Sequence, residues 1–292
     1  MRAHDDPGRH RVLEAFGATD AALVGRGSEA HVYALDGDRV LRVLDVGGHA
    51  HELRRRQELI ARLVQARPSF ALPEIYAVGE IDGRAYSVER RLPGRSLLDE
   101  LASTDPAARA ALIEAHMTAA AALGDLALDH ADGYGDLLAD SPIVAVTWHD
   151  YLERRAAGNL ARSTPEFWSV DAAALADDLP AARSPAFVHL DAFAGNMLTD
   201  GRRITAVIDI GITCVAGDRR LDPVASAIYL ASPDITPTAV ARDIGVARSW
   251  LRSAGLDDLV EPARRWLAAL WSFAVDDPAT LRWCRDILLD GI

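Results

Sequence analysis

The sequence contains no lysine, and all 31 of its Lys or Arg positions are arginine. Chemistry that needs a lysine side chain is therefore excluded, including a Schiff-base lysine, a lysine general base and the lysine of a Walker phosphate-binding loop. Only two cysteines occur among the 292 residues, Cys214 and Cys284. They make no disulfide framework and fit a reducing compartment, so we expect a cytoplasmic protein.

Long apolar segments are missing as well. No apolar run approaches the roughly 18 residues of a membrane-spanning helix, and charged residues stand where a secretory signal would be apolar. The formal net charge of −12 disfavours general nucleic-acid binding, which needs a basic surface, and mildly favours cationic small molecules. We therefore expect a small-molecule partner, and neither a nucleic acid nor a membrane. The sequence leaves the oligomeric state open.

Residues 1–91 have the pattern of a small antiparallel sheet with one helix. Apolar and polar residues alternate on both sides of Asp36-Gly37 and of Asp82-Gly83, dipeptides that supply positive φ in tight hairpin turns. Between the two hairpins, apolar residues such as Ile60 and Leu63 recur at helical spacing. This part of the chain is predicted to form one small lobe.

Residues 92–292 have a mostly helical pattern. The segment LPGRS at residues 92–96 is typical of a linker, and Asp105 with Pro106 fits the cap and first residue of a helix. A small β part joined by one linker to a larger helical part predicts an α+β, two-lobed plan with domains 1–91 and 92–292. Ligands favour the cleft between such lobes.

The segment FVHLDAFAGNMLTD carries His189, Asp191 and Asn196, the H-x-D-x-x-x-x-N spacing of a kinase catalytic loop. Thirteen residues after Asn196, an apolar run ends at Asp209-Ile210-Gly211, which matches the D-x-G that follows such a loop. Phosphoryl transfer needs a carboxylate to orient and deprotonate the attacking hydroxyl, and amide and carboxylate oxygens to hold Mg²⁺. We predict Asp191 as the base and Asn196 and Asp209 as the metal ligands, with His189 bracing the loop. The alternative is that these residues only form turn hydrogen bonds.

A glycine-rich hairpin is indicated in the N-terminal part. The segment GRGSEAHVY gives a G-x-G-x-x-A-x-V pattern, which resembles the hairpin that covers the phosphates in kinases. Glycines in a row of turns can also mean only turns. Because the pattern lies upstream of the catalytic loop, we predict a nucleotide site that includes Gly25, Gly27, Ser28 and Val32.

A kinase also needs a cation on the next strand, braced by a carboxylate on the following helix. The segment RVLRV places Arg42 at this point, and its guanidinium keeps the charge with a planar, bidentate geometry. On the helix, Glu52 lies in phase with the apolar residues, whereas Glu58 falls on the opposite face. We predict that Glu52 braces Arg42, with a surface ion pair as the alternative.

With these residues, the chain resembles the aminoglycoside phosphotransferase-like kinases from about Phe16 through YSVERRLPGRSL to GDRRLDPVASAIYL. The resemblance implies a two-lobed protein-kinase-like fold that uses ATP or GTP and Mg²⁺ to phosphorylate hydroxyls of small molecules. It places Leu190 where the family usually has glycine, and Arg56 at a position where a bracing glutamate could align. No A-P-E segment is present, which makes a protein substrate improbable.

The resemblance also implies roles for residues outside the catalytic loop. Glu89 and Arg91 would offer backbone groups to the adenine ring at the hinge, with Val88 behind the base. Asp218 and Asp222 would fix the loop that follows the metal-binding segment.

The leading acceptor is an aminoglycoside or another antibiotic, with a macrolide also open. The alternatives are a metabolite, such as a sugar, an amino alcohol or a choline-like molecule, and a catalytically silent nucleotide-binding module. Acidic and tryptophan residues of the C-terminal helices could bind a cationic acceptor, or could equally be solvated carboxylates and core aromatics. They are Glu261, Asp276, Asp277, Asp286, Asp290, Trp250, Trp266, Trp271 and Trp283.

Overall fold

The computed structural model describes residues 6–27, 30–128 and 133–289. The N-terminal lobe is built on an antiparallel sheet of five strands in the order β1-β2-β3-β5-β4. Its elements in chain order are α1 (Pro7–Ala15), β1 (Leu23–Arg26), β2 (Ala30–Ala34), β3 (Arg39–Leu44), α2 (Ala50–Leu63), β4 (Ile75–Ile81) and β5 (Arg84–Arg90).

The two predicted hairpin turns close in different ways. Asp82 and Gly83 have φ of 49° and 73°, as a tight turn between β4 and β5 requires. The turn between β2 and β3 is instead closed by the Asp36 carboxylate, which accepts hydrogen bonds from the backbone N–H groups of Asp38 and Arg39. Gly37 does not adopt positive φ, so that part of the prediction is wrong.

Helix α1 was not predicted from the sequence. Pro7 occupies its first turn, and the Asp6 carboxylate caps it by accepting hydrogen bonds from the N–H groups of Gly8 and Arg9. The same carboxylate pairs with Arg84 of β5 at 2.8 Å. The dipeptide Asp6-Pro7 was a start signal of the same kind as Asp105-Pro106, where α4 does begin at Pro106 as predicted.

The C-terminal lobe is mostly helical, with two small sheets ordered β11-β10-β6 and β8-β7-β12-β9. Its helices are α3 (Leu97–Ser103), α4 (Pro106–Leu123), α5 (Trp148–Ala161), α6 (Ala172–Asp177), α7 (Leu221–Ala231), α8 (Ala241–Ser253), α9 (Val260–Trp271) and α10 (Pro278–Leu288). Its strands are β6 (Arg95–Ser96), β7 (Tyr134–Asp136), β8 (Val144–Ala145), β9 (Ala186–Val188), β10 (Met197–Thr199), β11 (Ile204–Val207) and β12 (Val215–Gly217).

The predicted α+β, two-lobed plan is confirmed. The sheet of the first lobe ends at Arg90, and the next strand, β6, already pairs with β10 of the second lobe. A division of the chain into domains at residues 91 and 92 stays a prediction. Among the described residues, no helix combines the length and the apolar character needed to cross a membrane.

The two lobes share a core. Leu59, Ile60 and Leu63 of α2 are buried in the same apolar cluster as the centre of the C-terminal lobe, including Trp266. The segment between α2 and β4 also pairs with β11 through a bridge between Ala71 and Ala206. Helix α2 is therefore fixed to both lobes, close to the floor of the cleft.

A buried ion pair joins α4 to α8. Arg109 Nε lies 3.1 Å from Asp243 Oδ2, and the Arg109 guanidinium also donates to the Thr238 carbonyl at 2.7 Å. Asp243 accepts the Val240 N–H at the start of α8, and both charged side chains are less than one-tenth exposed. With this many hydrogen bonds, the pair is satisfied, whereas either partner alone would be a buried, uncompensated charge.

We expect Asp243→Ala to lower the free energy of unfolding by about 3–5 kcal/mol, because it leaves the Arg109 guanidinium buried without its carboxylate. Urea denaturation followed by circular dichroism measures the change. Glu261→Ala is the control, because Glu261 forms an exposed ion pair with Arg264. It should cost less than about 1 kcal/mol. Equal effects of the two variants would contradict the assignment.

Candidate active site

The catalytic-loop residues predicted from the sequence lie together between β9 and β10. The Asn196 Nδ2 group donates to both the backbone carbonyl and the Oδ2 atom of Asp191, each at 2.9 Å. Because the Asn196 amide nitrogen donates its hydrogen bonds to Asp191, the Oδ1 oxygen remains available as a ligand for a metal ion. One short loop thus places the predicted base and a predicted metal ligand side by side.

His189 is fully buried and links the two segments of the site. Its Nε2 donates to the Ile208 carbonyl at 3.0 Å, and its Nδ1 accepts the Asp191 N–H at 3.3 Å. This assignment of the proton to Nε2 is the one that satisfies both contacts. Burial lowers the pKa of His189, which keeps the ring neutral. The contacts agree with a bracing role for His189.

Leu190 adopts a left-handed backbone with φ of 60°. A side chain in this region costs on the order of 1 kcal/mol relative to glycine. The surrounding structure compensates: the Leu190 N–H donates to Asp222 Oδ1 at 2.9 Å, the His189 N–H donates to Asp222 Oδ2 at 2.8 Å, and Tyr229 donates its hydroxyl to the Leu190 carbonyl at 2.8 Å. The Leu190 side chain is itself completely buried.

Asp222 contacts the catalytic loop, which differs from the contact expected from the resemblance. It holds the catalytic loop by its backbone N–H groups, rather than the loop after the metal-binding segment. Asp218 pairs with the neighbouring Arg220. Sequence reasoning did not connect Asp222 with His189, because the two residues are 33 positions apart.

Asp209 completes the oxygen cluster at the floor of the cleft. Its φ of 62° is left-handed, a conformation that aspartate tolerates better than most side chains. Burial, together with the negative charge of Asp209, raises the pKa of Asp191 well above its ordinary value. The Asp209 carboxylate and the Asn196 Oδ1 atom are oxygen donors that fit Mg²⁺, and a divalent cation there would offset the repulsion between Asp209 and Asp191.

The cleft between the lobes is a cavity of about 750 Å³ lined by residues of both. Apolar side chains such as Val24, Val40 and Ile208 form part of its wall. Ser28 lies outside the described residues. The other predicted residues that line the cavity are Gly25, Gly27, Val32, Arg42, Glu89, Arg91, Asp191, Asn196 and Asp209.

The carboxylates next to Arg42 are those of Glu89 and, at 3.9 Å from Nη1, of Asp209, rather than that of Glu52. Arg42 Nε lies 3.2 Å from Glu89 Oε1, because their strands, β3 and β5, are neighbours in the sheet. Glu52 makes no ion pair with Arg42; it lines a second cavity of about 500 Å³, between α2 and the segment after Asp209. The bracing role predicted for Glu52 is therefore wrong. Helical phase identified the inward face of α2 but not the carboxylate that pairs with Arg42.

Two parts of the hinge expectation, the Arg91 N–H and Val88, are wrong. The Arg91 N–H donates to the Asp38 carbonyl at 2.7 Å, so it is not a free donor for adenine. Val88 packs with Val12 and Leu41 against α1, on the opposite face of the sheet from the cleft. The Glu89 side chain forms ion pairs with Arg42 and Arg56 in the site, and the backbone role expected for Glu89 stays a prediction.

Burial alone would raise the pKa of Glu89, but Arg56 and Arg42, with the Ser87 hydroxyl, together hold it below its ordinary value. Arg56 was not predicted as a site residue, although it falls on the apolar face of α2 and is buried there. Its Nη1 donates to Glu89 Oε1 at 2.9 Å. A charged residue in phase with core leucines was the available signal.

None of the described acidic or tryptophan residues proposed for the acceptor lines the cleft cavity. Trp266 and Trp283 are buried in the core, and Asp290 lies outside the described residues. Asp277 caps α10 by accepting from the N–H groups of Ala279 and Thr280. The structure thus gives several of these residues a structural contact.

A family model described as APH, phosphotransferase enzyme family, matches residues 20–256. The chain belongs to this family. Solved structures match it along nearly its whole length. The ternary complex of APH(2")-IIa with streptomycin and ATP shares 15% identity at a TM-score of 0.65, over 99% of this chain and 97% of that chain. The GDP complex of wild-type aminoglycoside 2'-phosphotransferase-IIIa shares 16% identity at a TM-score of 0.58, over 98% of this chain and 100% of that chain.

A protein of Haemophilus somnus assigned as a fructosamine-3-kinase shares 14% identity at a TM-score of 0.58, over 95% of each chain. A search of curated proteins gave no match. At such identities the solved structures show the fold, and they confirm the kinase-like, two-lobed α+β architecture expected from the resemblance.

We expect Asp222→Ala to change how stability depends on pH. Burial raises the pKa of Asp222 to about 7 in the folded protein, despite the backbone N–H groups that it accepts. The pKa of an aspartate in an unfolded chain is ~3.9. The folded carboxyl keeps its proton between these values, so its stabilising effect is complete at low pH and is lost as the pH rises through about 7.

Between pH 5 and pH 8, the parent protein should therefore lose about 2–3 kcal/mol more of its free energy of unfolding than Asp222→Ala does. Urea titrations at both pH values give the two differences. Asp276→Ala removes an exposed aspartate and should keep the parental difference. If the free energy of unfolding of Asp222→Ala changed between pH 5 and pH 8 as much as that of the parent, Asp222 would not titrate in this range.

Proposed function

We propose that the protein transfers a phosphoryl group from ATP or GTP, with Mg²⁺, to a hydroxyl of a small molecule. One observation carries the proposal: Asp191, Asn196 and Asp209 line the floor of an interlobe cleft that Gly25 and Gly27 border from above, in a member of a phosphotransferase family. The two buried free cysteines fit the cytoplasm as the place of action.

Asp191 is the proposed base. Asn196 fixes Asp191 Oδ2, which leaves Oδ1 to accept the proton of the attacking hydroxyl. Its raised pKa, caused by burial and by Asp209, makes the carboxylate a better proton acceptor than an exposed one. Magnesium, when bound by Asn196 Oδ1 and the Asp209 carboxylate, would neutralise charge on the phosphates. His189 and Asp222 keep the loop in the geometry that presents Asp191.

The nucleotide is proposed to lie under the β1–β2 hairpin. Val24, Val32 and Val40 offer apolar contact to a base, and Arg42 offers charge to the phosphates. Among the structural neighbours, one is a complex with ATP and another a complex with GDP, which supports a purine nucleotide and leaves ATP and GTP both open.

The acceptor is proposed to be an aminoglycoside or another antibiotic. Neighbours in complex with streptomycin and with gentamicin support this choice. The neighbour assigned as a fructosamine-3-kinase supports the second candidate, a sugar-like metabolite or another amino alcohol. A silent nucleotide-binding module is the third candidate. The close arrangement of Asp191 and Asn196 speaks against it, because binding alone does not need a base.

The purified protein should add one phosphate to a member of a panel of aminoglycosides, macrolides, sugars and amino alcohols, in the presence of Mg²⁺ and ATP or GTP. Mass spectrometry identifies the product by its added phosphate, and omission of Mg²⁺ is the control. Nucleotide binding without transfer to any acceptor of the panel would favour the silent module.

Asp191→Asn should reduce turnover of the identified acceptor by about 10²-fold or more, because the amide cannot accept the hydroxyl proton. Nucleotide affinity should stay near the parental value, as measured by isothermal titration calorimetry. Asp200→Asn is the matched control: Asp200 is exposed in the β10–β11 turn, outside the cleft. If Asp191→Asn kept parental turnover, Asp191 would not be the base.

A further inference from the structure

Three side chains at the back of the cleft form a cluster in which two arginines share one carboxylate. Glu89 Oε1 lies 3.2 Å from Arg42 Nε and 2.9 Å from Arg56 Nη1. The Ser87 hydroxyl donates to the same oxygen at 2.7 Å. The three residues come from β3, β5 and α2, and the side chains of Arg56 and Glu89 are less than one-tenth exposed. We refer to Arg42, Glu89 and Arg56 as the arginine cluster.

Arg56 is the member whose hydrogen-bonding capacity is incompletely used. Its Nε donates to the carbonyl of Ile210, the residue after Asp209, at 2.8 Å, and its Nη1 donates to Glu89. Its Nη2 is buried and has no hydrogen-bond partner within the described ranges 6–27, 30–128 and 133–289. An unsatisfied buried donor on a charged group is costly, so this nitrogen is suited to donate a hydrogen bond to an acceptor on a bound ligand.

Arg42 also faces a second carboxylate, because its Nη1 lies 3.9 Å from Asp209 Oδ1. The two arginines and the carboxylates of Glu89 and Asp209 therefore balance in formal charge. The need for a further acceptor comes from the Nη2 atom of Arg56 and not from a net charge. Both arginines line the cleft cavity together with Asp209.

The other arginines that line the cleft are more exposed than Arg42 and Arg56. They are all exposed, whereas Arg56 is buried and the Arg42 side chain is 19% exposed. They are Arg26, Arg90, Arg91 and Arg95. Arg42 and Arg56 are therefore the least exposed arginines of the cleft, and an anion bound between them would be better shielded from water than one bound by the others.

We propose that Arg56 is a second phosphate-binding residue, which forms with Arg42 a clamp of two guanidinium groups, bridged by Glu89, for the phosphates of a nucleoside di- or triphosphate. The inference rests on the proposed kinase function and specifies how a chain without lysine holds its nucleotide. Planar guanidinium groups bind phosphate oxygens in a bidentate manner. Through the Ile210 carbonyl, Arg56 also ties the bound phosphates to the segment that carries Asp209.

Arg56→Gln tests the clamp, because it removes the charge and keeps a polar side chain. Calorimetric titrations compare ATP and GTP with adenosine and guanosine, which lack phosphates. The affinity for the preferred triphosphate should fall by about tenfold or more, as expected for loss of a charged hydrogen bond, while that for the matching nucleoside stays at the parental value. Arg54→Gln, on the exposed face of the same helix, should leave both affinities unchanged.

The outcomes separate the two proposals. If the parent protein binds none of these compounds, the kinase function itself fails. If the parent binds but Arg56→Gln weakens nucleoside and triphosphate equally, or neither, Arg56 is only structural and the clamp is overturned. If Arg56→Gln does not fold, Arg56→Lys gives the comparison, because lysine keeps the charge but loses the planar grip. Its preference for triphosphate over nucleoside must then decrease, and a parental preference overturns the clamp.

Discussion

The carboxylate of Asp222 is the contact on which the catalytic loop depends. It accepts the backbone N–H groups of His189 and Leu190 at 2.8 and 2.9 Å, at a point where Leu190 is left-handed and would otherwise be strained. Because Asp222 lies in the first turn of α7, the loop takes its position from a helix whose residues 221–230 are all buried. The proposed base, Asp191, is the next residue after Leu190, so the contacts of Asp222 also fix its place in the loop.

Charge at this site is managed by arginine alone. The chain has no lysine, so every permanently charged cationic side chain is a guanidinium with a fixed, planar set of donors. Such a group can contact two acceptors at once, and Arg56 does so by joining the Ile210 carbonyl to Glu89. The proposed clamp is one consequence of this composition. The carboxylate that pairs with Arg42 is Glu89 of β5, and Arg56 occupies a buried position on α2.

The sequence predicted the parts of the site that depend on local spacing. Asp191 and Asn196 are five residues apart, and their contact follows from one loop. Contacts between elements were not predictable in the same way. Periodicity showed which residues of α2 face inward, but the partner of Arg42 is set by the pairing of β3 with β5. Side chains of β5 alternate between the two faces of the sheet, so Glu89 faces the cleft and Val88 faces α1. A prediction that places the strand one residue out of phase assigns these two residues to the wrong faces.

The burial of α2 in the core of the larger lobe limits how the protein can be regulated. Leu59, Ile60 and Leu63 would be exposed to water if this helix swung outward, at a cost of about 1.5–3 kcal/mol for each side chain. The bridge between Ala71 and Ala206 would break in the same movement. A regulatory switch that works by displacing this helix is therefore disfavoured, because the buried apolar contacts and the bridge would be lost together.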